Sequence, residues 1–250
     1  MKWLFALVSI VGLTALATSL AHGDDEKAGP KDNMPPAGFT ALFNGKDTTN
    51  WQALVPMRDR DYKKWVALST EEKAAEQKKA NDELLKHWPV ENGIILHDGK
   101  GTSLQTAKDY GNFELYVDWK IPPKGDSGIY LRAQPQVQIW DSETLADNLK
   151  EDRNLGSGGL WNNPKNSKGQ KPLKKADKPV GEWNTFHIIM KGDNVTVILN
   201  GEKVVDDAPL ANYWEKGKPL PAKGPIELQH HGDKLWFKNI YIRELPDDNK

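Results

Sequence analysis

Side chains able to bind sugars or move protons alternate with apolar ones along four segments. Successive side chains of a β-strand point to opposite faces, so residues two apart share a face. The outward set is Tyr130 and Arg132; Gln136, Gln138 and Trp140; Glu227, Gln229 and His231; and Glu114, Tyr116 and Asp118. Amide and guanidinium groups pair with neighbouring hydroxyls, and aromatic rings stack on sugar faces. The pattern favours a carbohydrate site, although an ordinary solvated sheet face would give the same alternation.

Other motifs carry weaker signals. His230 and His231 are adjacent, and adjacent strand residues point to opposite faces, so both cannot easily bind one metal ion. Only His231 is expected beside Gln229, with His230 packed or capped. His187 is expected to be a buried structural histidine. The glycine-rich run Gly156–Gly159 lacks the Gly-Lys-Ser/Thr motif and the strand–helix context of a phosphate loop.

The elements that position these residues are predicted to be mostly strands. Apolar and polar residues alternate, or strand-forming residues cluster, in seven stretches: Phe113–Ile121, Ser127–Ala133, Gln136–Asp141, Trp183–Lys191, Val195–Leu199, Pro225–His231 and Leu235–Leu245. Asn200-Gly201 is a strong signal for a tight hairpin turn. Many short strands with glycine-rich turns predict an all-β antiparallel sandwich or jelly roll.

One inserted helix is predicted at about residues 70–87. Ser69 and Glu72 have the spacing of a capping box, and good helix formers follow as far as Lys86. Such a charged helix most often covers a sheet edge. A lid beside a site is the sharper alternative, because long insertions in sandwiches are often functional.

The N-terminus has the pattern of an export signal. Lys2 precedes an apolar run from Leu4 to Leu20, and small residues at Ser19 and Ala21 suit cleavage before His22. We therefore expect a signal peptide at 1–21, a flexible linker at 22–38 and one domain at 39–246. An uncleaved membrane anchor is the alternative interpretation of the first segment.

Composition excludes several classes of function. The chain has 34 Lys and Arg against 35 Asp and Glu, which argues against a general nucleic-acid binder. It contains no cysteine, which excludes disulfides, thiolate nucleophiles and thiolate metal sites. Export without cysteine favours a bacterial periplasmic or extracellular protein with no membrane span after cleavage.

Several fragments, in one order, resemble the 3-keto-disaccharide hydrolase domain family. The opening fragment is Phe39–Asp47 (FTALFNGKD) followed by Trp51. The later fragments are Trp88–Ile95, Asn112–Leu115, Asp126–Arg132 (DSGIYLR), Val137–Asp141 (VQIWD), Glu182–Asn184, Leu199–Gly201, Ile226–Gly232 (IELQHHG) and Phe237–Leu245. The resemblance spans residues 39–245.

This resemblance implies a concanavalin A-like jelly-roll sandwich, exported by bacteria that degrade glycosides. It also implies activity on sugars whose C3 hydroxyl has been oxidised to a ketone. Two positions depart from the family pattern. Asp126 stands where the family usually has Asn, and Gln136 stands where it usually has Glu, which removes one carboxylate from the expected site.

A 3-ketone acidifies the C2 proton, so a modest base can form an enolate and expel the group at C1. Such a site needs a base near C2, a donor or metal at the ketone oxygen, and an acid near the leaving oxygen. The candidate bases are His231 and Glu114, and Asp141 or Glu227 could be the acid or a metal ligand. Substrate binding is expected from Arg132, Gln138, Gln229, Tyr130, Trp140 and Glu227. A divalent ion would suit the enolate, but no spacing motif demonstrates one.

Two other functions fit the same residues. A non-catalytic carbohydrate-binding sandwich would use Trp140, Tyr130 and Trp161 as a stacking platform. An envelope scaffold would instead bind a protein partner with that face. A concave groove that gathers the polar residues would favour chemistry, whereas a flat aromatic strip would favour binding alone.

Overall fold

The computed structural model describes residues 32–56, 61–134, 136–144 and 152–247. The predicted signal peptide lies outside the described residues. The end of the predicted linker, at 32–38, contacts the body of the domain: the Asn33 backbone N–H donates to Asn239 Oδ1 at 2.6 Å, and Asn33 Nδ2 donates to the Gly93 carbonyl at 2.9 Å. Lys238 Nζ also lies 2.7 Å from an Asp32 carboxylate oxygen.

Short antiparallel strands are the main regular structure of the described residues. In chain order they are β1 (Thr40–Ala41), β2 (Trp51–Ala53), β3 (Val90–Glu91), β4 (Ile94–Asp98), β5 (Leu104–Thr106), β6 (Phe113–Lys120), β7 (Asp126–Tyr130), β8 (Gln136–Trp140), β9 (Asn184–Lys191), β10 (Asn194–Leu199), β11 (Glu202–Pro209), β12 (Glu227–Leu228) and β13 (Lys234–Glu244). The larger sheet has the order β11-β10-β9-β6-β13-β4-β3, with β1 paired to β13. The smaller sheet has the order β2-β5-β12-β7-β8.

The two sheets enclose one apolar core, which confirms the predicted all-β jelly-roll sandwich. Leu115 from β6 and Phe186 from β9 belong to the same buried cluster as Ile129 from β7 and Leu228 from β12. In β6 the buried and half-buried positions alternate strictly, as the sequence pattern predicts. The polar residues between the core positions therefore face outward, on opposite sides of the sandwich for the two sheets.

The described part of the inserted segment contains two helices, α1 (Tyr62–Ala67) and α2 (Thr70–Leu84), and a 3₁₀ turn at Leu85–His87. The capping box is present, because Ser69 Oγ accepts from the Glu72 N–H and Glu72 accepts from the Ser69 N–H. Helix α2 packs on the edge strand β2. Asn81 Oδ1 accepts from the Ala53 N–H at 3.0 Å, and Gln77 Nε2 donates to the Ala53 carbonyl at 2.8 Å.

These two bonds pair the Ala53 N–H and carbonyl, which an uncovered edge strand would leave without hydrogen-bond partners. Helix α2 therefore covers the β2 edge, as the sequence suggested. Among the residues that the structure describes, no helix is long and apolar enough to cross a membrane.

Candidate functional site

A cavity of about 650 Å³ opens on the outer face of the smaller sheet. Its floor comes from β12 and β7, and Leu84 of α2 lies on one wall. The irregular segment 211–224 contributes another part of the wall. The lining residues used below are Ser103, Asp109, Tyr130, Arg132, Trp214, Glu215, Lys223, Glu227, Gln229 and His230.

Glu227 lies on the cavity floor. It is 7% exposed, and its neighbours Ile226 and Leu228 are fully buried in the core, so the carboxylate points away from the core. In the strand register Glu227 lies opposite Gln105 of β5 and Tyr130 of β7. Three polar side chains from adjacent strands therefore lie in one row on the outer face of the sheet, and Glu227 and Tyr130 of this row line the cavity.

Gln229 continues this polar surface along the chain. Its Nε2 donates to the Tyr130 hydroxyl at 3.3 Å, while its buried Oε1 has no hydrogen-bond partner within the described residues. Buried polar atoms are nearly always paired in proteins. An unpaired acceptor at a cavity wall is an atom that a ligand hydroxyl could satisfy.

His230 lies at the end of the cavity beside Ser103. Its backbone N–H donates to Ser103 Oγ at 3.0 Å, and its Nδ1 accepts from the Gly232 N–H at 3.4 Å. With Nδ1 accepting, the proton of the neutral ring lies on Nε2. Burial, reinforced by the charge of His231, lowers the pKa of His230, which favours the neutral ring.

His97 supports the His230 ring from behind. The two ring centroids are 4.9 Å apart, and the indole of Trp88 lies 4.1 Å from His97 on a second side. Burial lowers the pKa of His97 to about 4, so this ring is neutral at pH 7. Its Nε2 is buried without a hydrogen-bond partner among the described residues.

The prediction that His231, not His230, lies with Gln229 was wrong by one residue. Strand β12 ends at Leu228, and the chain turns at Gly232, whose φ is +94°. Alternation holds only within a paired strand, so it cannot be extended through this turn. His231 is exposed and acts electrostatically on Asp126 instead.

The predicted exposure of the Arg132 guanidinium to a substrate was also wrong. Strand β7 ends at Tyr130, and Arg132 adopts a left-handed conformation with φ +54°. Its side chain is 3% exposed. The guanidinium donates to Asn112 Oδ1 and to the carbonyls of Gly111, Gly192 and Pro221, at 2.9–3.3 Å. The guanidinium therefore joins loops to one another. Arg132 borders the cavity, but its guanidinium is engaged by these loops.

Glu114 lies on the opposite side of the sandwich. It belongs to β6 of the larger sheet and points outward there, so it cannot share the cavity with Glu227. Arg243 and His187 hydrogen-bond to its carboxylate at 2.6 and 3.1 Å. Burial would raise the pKa of Glu114, but these two partners outweigh it and lower the pKa. His187 stacks on Tyr116 as a structural histidine would, but it is half-buried on the outer face and not fully buried as expected.

Asp141 holds a turn outside the cavity. Its carboxylate accepts from the backbone N–H groups of Lys124, Glu143 and Thr144, at 2.6–2.8 Å, and from the Thr144 hydroxyl. Burial acts to raise the pKa of Asp141, but these hydrogen bonds lower it. A fully buried carboxylate engaged in this way is placed to stabilise the loop after β8, in contrast to the predicted acid or metal ligand.

Gln138 belongs to a buried chain of side-chain hydrogen bonds. Gln136 Nε2 donates to Gln138 Oε1 at 2.7 Å, and Gln138 Nε2 donates to Asp126 Oδ1 at 2.9 Å. Arg153 completes the chain with a 2.8 Å ion pair to Asp126. The two departures from the family pattern, at 126 and 136, are thus linked through Gln138, whose amide is engaged inside the protein.

Trp140 does not form an exposed stacking platform. It is 4% exposed, its Nε1 donates to the Gly156 carbonyl at 2.9 Å, and the Arg153 guanidinium lies 5.3 Å from its ring centre. Trp161 packs edge-on against it. The exposed aromatic ring at the cavity is Trp214, on an irregular segment where no strand pattern could have indicated it.

The described residues contain no group of three or more His, Asp or Glu side chains arranged to hold a metal ion. The cavity lining includes the carboxylates of Asp109, Glu215 and Glu227 and the imidazole of His230, whose chemistry would suit a divalent cation. The divalent ion stays a prediction.

Comparison with known proteins identifies the family. Residues 38–243 match the 3-keto-alpha-glucoside-1,2-lyase-like domain family. The chain belongs to this family. A relative from Bacteroides thetaiotaomicron, named 3-keto-disaccharide hydrolase, is 26% identical over 83% of this chain and 79% of its own. The family resemblance seen in the sequence is thereby confirmed.

Solved structures agree with the family assignment. One glycosyl hydrolase candidate from Parabacteroides distasonis is 25% identical, covers 86% of this chain and all of its own, and superposes with a TM-score of 0.63. Another from the same organism is 25% identical over 84% of this chain and 85% of its own, with a TM-score of 0.58. The family membership and these neighbours support an enzyme that processes glycosides.

Proposed function

We propose that this protein cleaves the glycosidic bond of 3-keto-glycosides, and that the cavity on the smaller sheet is its active site. The observation that carries the proposal is the presence of Glu227, Gln229 and His230 on one surface of that cavity. The family name and the name of the Bacteroides relative support the substrate class.

The ketone at C3 makes the neighbouring C2 proton acidic. In our proposal the Glu227 carboxylate removes this proton, and the electron pair moves onto the C3 oxygen as an enolate. His230 is a neutral ring with its proton on Nε2, so it can donate a hydrogen bond to that developing negative charge. The unpaired Oε1 of Gln229 accepts a bond from a sugar hydroxyl.

The second step breaks the bond from C1 to the leaving oxygen. The enolate electrons re-form the C3 carbonyl and a C1–C2 double bond is left, while the proton held by Glu227 passes to the leaving oxygen. Addition of water across the double bond then gives net hydrolysis, and release before addition gives a lyase. This sequence needs one proton-transferring carboxyl, unlike the carboxylate pair of ordinary glycosidases.

A carbohydrate-binding module is the rival function. The buried, covered ring of Trp140 gives no support to the flat aromatic platform that such a module was expected to use. A concave cavity with a carboxylate and an imidazole supports chemistry instead.

The test is incubation of the purified protein with the 4-nitrophenyl glycoside of 3-keto-glucose, followed by absorbance of released nitrophenolate. We expect release from the 3-keto substrate and none from the unoxidised glucoside. A second arm with EDTA, then with added Mg²⁺ or Mn²⁺, tests the divalent ion. Equal or absent release from both glycosides in the presence of these ions would contradict the proposed function.

We also propose that residues 1–21 direct export and are removed before His22. N-terminal sequencing of the protein recovered from the periplasm or medium of an expressing bacterium tests this. A mature chain that begins at His22 is expected, and an intact chain beginning at Met1 in the membrane fraction would contradict it.

A further inference from the structure

The cavity extends along the strand direction well beyond Glu227. Pairing between β12 and β7 continues beyond both ends of β12. Ala133 N–H donates to the Pro225 carbonyl at 2.9 Å, and Gln229 N–H donates to the Gly128 carbonyl at 3.0 Å. At about 3.3 Å per residue, the level of Pro225 lies about 13 Å from that of Gln229. This length exceeds one sugar ring, so the cavity has room for a second one.

Trp214 lies at the end of the cavity opposite His230. Its Nε1 donates to the Ala133 carbonyl at 2.6 Å, which fixes the indole at the level of Pro225. The ring of Tyr213 packs edge-on against it, with centroids 5.0 Å apart. Despite these two restraints, Trp214 is 48% exposed. A large apolar ring held open beside a cavity is poorly explained by packing alone.

The segment that carries Trp214 is braced by its own hydrogen bonds. Asn212 Nδ2 donates to the Pro219 carbonyl at 2.9 Å, and Asn212 Oδ1 accepts from the Glu215 N–H at 2.8 Å. Gln134 Oε1 accepts from the Tyr213 N–H at 3.1 Å, which joins the segment to the turn after β7. The indole is therefore held in place before any ligand arrives, which reduces the ordering cost of binding.

We propose that Trp214 forms a distal subsite that stacks on the leaving-group sugar of a 3-keto-disaccharide. This inference rests on the proposed function, since it assigns the 3-keto ring to the Glu227 end of the cavity. Asp109, Glu215 and Lys223 also line the cavity, and their charged groups suit a ring that carries hydroxyls better than a wholly apolar one. Trp214 is thus a specificity-determining residue for the leaving group.

The test compares two substrates and matched variants. One substrate is a disaccharide of 3-keto-glucose and glucose, and the other is the methyl glycoside of 3-keto-glucose. In Trp214→Ala we expect the KM for the disaccharide to rise about tenfold, the size of a lost stacking contact, with the KM for the methyl glycoside nearly unchanged. Trp214→Phe should restore most of the difference, because a ring is regained.

Trp183→Ala is the control, since Trp183 packs near Lys120 and Lys238 of the larger sheet, away from the cavity. Equal effects of Trp214→Ala on both substrates, or no effect on either, would overturn the subsite.

If the wild-type protein turns over neither substrate, the proposed function fails by itself. The subsite is then tested by calorimetric titration with maltose and glucose. Maltose should bind more tightly than glucose to the wild type, and this difference should disappear in Trp214→Ala. Equal or absent binding of the two sugars would overturn it.

Discussion

Glu227 on β12 and Tyr130 on β7 are direct register partners, so both side chains project from adjacent strands into the same cavity. Tyr130 in turn accepts a hydrogen bond from Gln229, so the two side chains beside the Glu227 carboxylate are joined to each other. A site built on paired strands is held more rigidly than one built on loops. This relationship is the structural basis for treating Glu227 as the central group of the site.

The two adjacent histidines should respond differently to substitution. His230→Ala should lower kcat by about a hundredfold or more, because it removes a donor to the developing enolate. His231→Ala should retain kcat within about twofold, because that ring is exposed and lies outside the cavity lining. Steady-state kinetics on a 3-keto-glucoside measures both, and circular dichroism checks that each variant is folded. The reverse order of effects would assign the site to His231.

His97 makes the stability of the fold depend on pH. Burial lowers its pKa from 6.5 to about 4 in the folded protein, so the unfolded chain binds the extra proton between these values. The contribution of the neutral His97 ring to the free energy of unfolding is therefore complete above pH 6.5 and is lost as the pH falls toward 4. Each tenfold change in the unfolding equilibrium equals 1.36 kcal/mol, so the loss between these two pH values amounts to about 3 kcal/mol of unfolding free energy.

Urea unfolding of the wild type and of His97→Gln at pH 7 and pH 4.5 measures this contribution. The wild type should lose more unfolding free energy between the two pH values than the variant does. His231→Gln, at an exposed position, is the matched control and should follow the wild type. Identical pH dependence in His97→Gln and the wild type would contradict the assignment.

Arg132 should matter for folding more than for substrate binding. Arg132→Met leaves the carbonyls of Gly111, Gly192 and Pro221 without the guanidinium donor, whereas Asn112 Oδ1 keeps the Gly192 N–H as a donor. A buried orphaned acceptor costs about 1–3 kcal/mol, and of these three residues only Gly111 is buried, so the free energy of unfolding should fall by about 1–3 kcal/mol. Chemical denaturation measures this. A variant of unchanged stability with a strongly raised KM would show that the guanidinium binds substrate after all.

Alternation predicted the outward direction of Tyr130, Glu227 and Gln229 because strand pairing extends through these residues. It failed for Arg132 and His231, since each follows a strand end where the backbone enters a left-handed conformation or a turn. Two-residue periodicity carries no information about where a strand stops.

Two further features lay beyond the sequence pattern. Alternation gives the face of Glu114 but not its sheet, and pairing of β6 with β9 and β13 decides the sheet. Trp214 lies in an irregular segment, where its position depends on distant partners such as Ala133. The fold was predictable because many alternating segments agree with one another, whereas His230 and Trp214 lie outside the strands, where alternation does not apply.

Removal of the C2 proton by Glu227 is tested most directly by hydrogen exchange at C2. A 3-keto-glucoside is incubated in D₂O with the wild type, with Glu227→Gln and with Glu114→Gln, and proton NMR follows the C2 signal of the substrate and products. We expect deuterium at C2 with the wild type and with Glu114→Gln, faster than without protein, and exchange at the uncatalysed rate with Glu227→Gln. Undiminished exchange in folded Glu227→Gln would contradict the assignment of this carboxylate as the base.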